Sequence, residues 1–80
     1  MKLNNIAANQ TEITLAKCRV FFSYDTPVAG YGEFGAFRTS ETFSRTTSKH
    51  IRAYLGSDFD DAAILPQGMI AAQLKYVGDL

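Results

Sequence analysis

The sequence predicts a small α+β domain: a three-stranded antiparallel sheet packed by one or two helices, in the order β-β-β-α-α. Three observations carry that expectation. The parity of the apolar residues switches at Ala16-Lys17. Residues 46–55 hold an apolar stripe at helical spacing, and residues 66–76 hold a second. Short strands with one polar face, covered on the other by helices, make a two-layer domain.

The strand-rich stretch is "TEITLAKCRVFFSYDT". Ile13 and Leu15 share one parity, and Cys18, Val20 and Phe22 share the other. One continuous strand would send these two sets to opposite faces of a sheet. A hairpin resolves the conflict, with strands near 11–15 and 19–25; a bulged strand is the alternative. Residues 1–10 read as an N-terminal arm ahead of a single domain at 11–80. Pro27 has no N–H for a ladder, so it marks a strand edge or break. "GYGEFG", with three glycines in six residues, reads as a loop. The third strand falls near 34–39, with Phe37 half-buried.

The first helix is predicted at 46–55. Thr46, Thr47 and Ser48 suit a helix start, because their hydroxyls accept from the free backbone N–H groups there. Steps of 100° put Ile51, Tyr54 and Leu55 on one face. Arg45, Lys49 and Arg52 fall within about 60° of one another on the opposite side. His50 lies at the border, one turn before Tyr54, and Gly56 stops the helix. "SDFDD" reads as a solvated acidic connector. A second helix starts near Pro66 with Ile70, Leu74 and Val77 as its stripe. Ile13, Val20, Phe22, Phe37, Ile51, Leu55, Ile70 and Leu74 are expected to meet in one core.

Composition bounds the function. The chain has 80 residues, 46% of them apolar and 20% charged, so it is one globular domain. Net charge is zero, which gives no global electrostatic case for nucleic acid. The distribution is uneven. Arg38, Arg45, Lys49 and Arg52 against Glu41 leave +3 over residues 38–52, and Lys75 against Asp58, Asp60, Asp61 and Asp79 leaves −3 over 56–80. The two segments either make the molecule dipolar or pair with each other. Cys18 alone cannot close an internal disulfide, and with His50 it gives no complete zinc site, so no metal or cofactor is expected. No apolar run reaches membrane-spanning length, and no signal peptide is evident. These features fit a reduced cytoplasmic location.

Two central blocks are specific in combination. Ser23, Tyr24, Thr26, Pro27, Val28 and Ala29 follow an aromatic strand. Phe43, Ser44, Thr46, Thr47, Ser48, His50 and Ile51 form the second block, and Leu65, Pro66 and Gln67 close the pattern. From about Thr11 to Leu74 the chain resembles a family of small proteins of unknown function encoded widely in bacteriophage genomes. It departs at Ala16-Lys17-Cys18, where relatives carry a Gly-containing turn, and at Gly68, near which relatives carry an acidic residue. The resemblance implies a phage origin, the host cytoplasm as location and the extent of the domain, and it implies no mechanism.

The candidate binding set for a partner or a phosphate is Arg38, Arg45, Thr46, Thr47, Ser48, Lys49, His50 and Arg52. Its bland alternative is a capped helix with solvated basic side chains. His50 reads either as a general base or phosphate contact, or as a ring that orients the helix. No nucleophile elbow accompanies it, so an enzyme is not expected. Tyr24, Tyr31 and Phe34 flank the glycine-rich loop and serve either as aromatic contacts for a partner or as core cover. The expected function is a non-catalytic interaction module that binds a host or phage macromolecule, first of all a protein. The alternative is nucleic-acid binding, with phosphates on the basic face of helix 46–55. A homodimer through an exposed strand edge stays open.

Overall fold

The parity switch at Ala16-Lys17 is a hairpin. Strand β2 (Gln10–Thr14) pairs antiparallel with β3 (Arg19–Ser23), with Ile13 opposite Val20. The computed structural model describes residues 2–72. Around this hairpin it adds β1 (Lys2–Ala7), β4 (Thr26–Gly32) and β5 (Gly35–Thr39). Helix α1 (Arg45–Leu55) follows, then a 3-10 turn at Gly56–Asp58, the short strand β6 (Ala63–Leu65) and α2 (Gln67–Ala72).

The expected three-stranded antiparallel sheet is therefore wrong. The sheet has six strands in the order β1-β2-β3-β4-β5-β6, antiparallel except for the parallel β5–β6 pair. Two short helices accompany it. Residues 1–10 do not stand apart as an arm, because Lys2–Ala7 pairs along β2. The glycine-rich loop shrinks to Glu33-Phe34, with Gly30, Tyr31 and Gly32 inside β4. The second helix starts where the sequence places it; the expected stretch beyond Ala72, with Leu74 and Val77, lies outside the described residues.

Gly30 has a definite reason to be glycine. It sits opposite Phe37, and a Cβ there would lie 2.1 Å from the Arg19 carbonyl oxygen and 2.5 Å from the Phe37 ring. The ring thus lies across a strand that has no side chain in its way. Pro27 is accommodated because it stands at the start of β4, beside a bulge that shifts the register between Phe21 and Phe22.

The single expected core is divided between two faces of the sheet. Phe21, Val28 and Ala29 face α1 and meet Ile51, Leu55 and Ala62. By register, Val20, Gly30 and Phe37 face the other way. Met69 of α2 lines one groove with Phe37 and Leu65 on that second side, where Ile70 is fully buried. Ile13 and Phe22, both expected in the core, are half-buried. Strand β1 forms a bare edge, with Leu3 and Ile6 exposed. No helix among the described residues is long and apolar enough to cross a membrane.

Helix α1 is capped one residue before it begins. Ser44 holds extended backbone, and its Oγ accepts from the Thr47 N–H at 3.1 Å. The cap is thus Ser44 rather than Thr46 or Thr47. Ser44→Ala should lower stability by about 1 kcal/mol in a denaturant melt, with Thr46→Ala, an exposed site, staying within about 0.5 kcal/mol. The helix ends at Gly56, whose φ of 55° suits glycine and whose N–H donates to the Arg52 carbonyl.

Candidate functional site

The two flanks of α1 do different things. On one flank Tyr54 stacks on Phe21 with ring centroids 4.2 Å apart and donates its hydroxyl to the Glu12 carboxylate. Burial, and then that hydrogen bond, push the Tyr54 phenol well above its ordinary pKa. Tyr31 packs against Tyr54 and donates to Asp58 Oδ2 at 2.9 Å. Burial and the Asp58 bond raise its pKa as well. Tyr31 is thus a packing residue.

His50 lies on the same flank, toward β3. Its Nδ1 is 2.8 Å from Ser23 Oγ, and Ser23 reaches Thr47 Oγ1 at 3.2 Å. Ser44 Oγ donates to that same Thr47 oxygen at 3.2 Å. A chain of Ser44, Thr47, Ser23 and His50 results. The direction of the Ser23–His50 bond follows the His50 tautomer: a protonated Nδ1 donates to Ser23 Oγ, and a bare Nδ1 accepts from it. Ser23 is 1% exposed. The serine of this pair is thus shut off from solvent, and the His50 ring is half-buried. Tyr24 completes this end of the sheet. It occupies the left-handed region at φ 58°, in the two-residue turn between β3 and β4, and its ring tilts against His50 at 5.9 Å.

The other flank faces β5 and the connector after the helix. Arg38 of β5 and Arg52 of α1 both lie over the ring of Phe59, at 4.3 and 4.4 Å from its centroid. With Ser48, they line a recess of about 170 Å³. Arg45, Thr46 and Lys49 stay exposed on α1.

The sequence-predicted binding residues are therefore split. Arg38, Ser48 and Arg52 gather at one recess. Thr47 and His50 belong to the hydroxyl chain on the far flank. The three aromatic candidates do not come together either. Tyr24 is at one end of β4, Tyr31 is packed, and Phe34 is fully exposed at the opposite end. Sequence reasoning missed Phe59, in a connector read as solvated; an aromatic among acids was its one visible signal. Among the described residues, no three His, Cys, Asp or Glu side chains gather as a metal would require.

The sequence model of a family of unknown function, DUF8033, matches residues 1–71. The chain belongs to DUF8033. No curated protein and no solved structure matches it. The DUF8033 match takes in all six strands, α1 and both flanks of that helix, so the recess and the hydroxyl chain lie inside the family's extent.

Proposed function

We propose that the chain is a non-catalytic interaction module that grips a protein partner at the end of the sheet around Phe34. The carrying observation is Phe34 itself, a phenylalanine 100% exposed at a hairpin tip. Nothing in folding calls for an aromatic ring there. Beside it opens an apolar groove of about 780 Å³, lined among others by Leu15, Phe37, Leu65 and Met69. A knob next to an apolar recess suits a partner that offers a matching apolar side chain and a pocket. The buried Ser23–His50 pair supports a role without catalysis. The phage resemblance suggests a host or phage protein as the partner.

Phe34→Ser should melt like the parent, within about 0.5 kcal/mol, because the ring touches nothing that holds the fold. It should lose the partner that the parent captures from host lysate treated with nuclease. Capture that is unchanged in Phe34→Ser removes this surface from the reading.

A second reading has its own support. Arg45 and Lys49 point outward on α1 beside Arg52 and suit phosphates. Binding to nucleic acid through that stripe would weaken with salt at a log–log slope of about −2 to −3. A protein interface built on Phe34 would show little slope.

A further inference from the structure

We propose that the recess between α1 and β5 is a binding site for a terminal phosphate group, a phosphomonoester dianion, held between Arg38 and Arg52. This site is separate from the Phe34 surface, and neither proposal depends on the other.

The argument starts from an unbalanced charge. Arg38 is half-buried on β5, and its Nε is buried without a hydrogen-bond partner. A buried guanidinium N–H left unmatched is costly, and native interiors rarely leave one so. Among the described residues, neither the Arg38 nor the Arg52 side chain forms an ion pair or hydrogen bond. What holds both is the face of Phe59. The ring holds the two guanidiniums by cation–π attraction, which leaves their N–H groups unused. Two like charges are thus kept at one recess by an aromatic platform, in the absence of an acid between them.

The carboxylates nearby do not neutralise the pair. Glu41 lines the recess but is exposed, and Asp60 and Asp61, in the turn after Phe59, are exposed as well. Asp58 accepts from Tyr31. Lys49 and Arg45, about one and two turns back along α1 from Arg52, add positive charge on the outer side.

Size and donor count select the ligand. About 170 Å³ admits a single phosphate-sized group and leaves the rest of any molecule that carries it outside the recess. Arg38 reaches the recess from β5, and Arg52 and Ser48 reach it from α1, so the donors come from two sides. A carboxylate has two oxygens in one plane. A terminal phosphate offers three oxygens arranged tetrahedrally and close to two negative charges at neutral pH, which matches two arginine forks. A backbone diester has two free oxygens, one charge and chain on both sides, and fits the recess less well.

The test uses the full chain and inorganic phosphate as the probe. Phosphate should raise the melting temperature saturably, beyond the effect of chloride at equal ionic strength. Arg52→Gln, at an exposed position, should keep the fold and weaken phosphate binding by about tenfold or more, and Arg52→Lys should weaken it too, since a point charge replaces a fork. Lys2→Gln, on the exposed edge strand β1, serves as the surface-charge control and should bind phosphate like the parent. A short oligonucleotide carrying a 5′-phosphate should then bind about tenfold more tightly than the same oligonucleotide without it. The proposal is overturned if phosphate acts no differently from chloride, or if Arg52→Gln binds phosphate like the parent. Equal affinity for the two oligonucleotides overturns the monoester assignment.

Discussion

Phe21→Ala should cost about 3–5 kcal/mol, the most of any single truncation in the sheet. Its ring is fully buried, stacks on Tyr54 and sits at the centre of the contact between β3 and α1. Removing it opens a cavity beneath the helix, and the neighbours cannot all collapse into it. Ala29 beside it is already small, and Tyr54 is held by Glu12. Domains of this size have a few kcal/mol to lose, so the variant should be largely unfolded under conditions where the parent is folded. A urea melt followed by circular dichroism measures it, with Phe22→Ala as the comparison. Phe22 is half-buried and should cost clearly less. An equal or larger loss at Phe22 would mean that the α1 face is not the main core.

Gly30→Ala should cost about 1–3 kcal/mol, toward the upper end of that range. The added methyl meets a backbone carbonyl oxygen and the Phe37 ring at once. The Arg19 carbonyl belongs to the paired backbone of β3 and cannot swing aside as a side chain does. The comparison is Gly35→Ala, where no atom lies within 4 Å and the burden is a backbone φ of 105°. A Gly30→Ala variant with the parent's melting curve would show that β3 and β4 are not packed as closely as described.

These two residues also explain what the sequence concealed. The hairpin was legible because two apolar sets of opposite parity cannot share one strand. β4 was not, because glycine and proline ordinarily punctuate chains, and here Gly30 yields room for a ring from the next strand. That requirement depends on β5 and is invisible locally. Phe22 was favoured over Phe21 because a sheet with one covered face should alternate. With helices on both sides, adjacent residues Val20 and Phe21 are both fully buried and alternation carries no choice of face. β1 shows neither period, since five of its six residues are exposed. β6 is three residues long and joins in parallel, so no turn announces it.

The site divided along the same line. The basic stripe of α1 followed from helical geometry, as did the burial of Ile51 and Leu55. The cap moved back to Ser44, where an S-x-x-T spacing places its oxygen on the Thr47 N–H. The meeting of Arg38, Arg52 and Phe59 required knowing that the connector returns over β5. The +3 and −3 segments do come together there, and their contact is made through an aromatic ring.

The parallel β5–β6 pair also sets the order in which this molecule is completed during synthesis. Strands β1 to β5 follow one another through short turns, so their pairing needs only local closure and all of it is encoded by residue 39. The cover for Phe21, Val28 and Ala29 is encoded afterwards, by α1, and β6 must then return to β5 across residues 40–62. Local pairs form faster than distant ones. A nascent chain therefore holds all five meander strands before the helix that covers their apolar face has been made. At emergence rates of about 5–20 residues per second, the end of the helix trails the last meander strand by about one to three seconds. For that time the face that later binds α1 is open to any other apolar surface nearby.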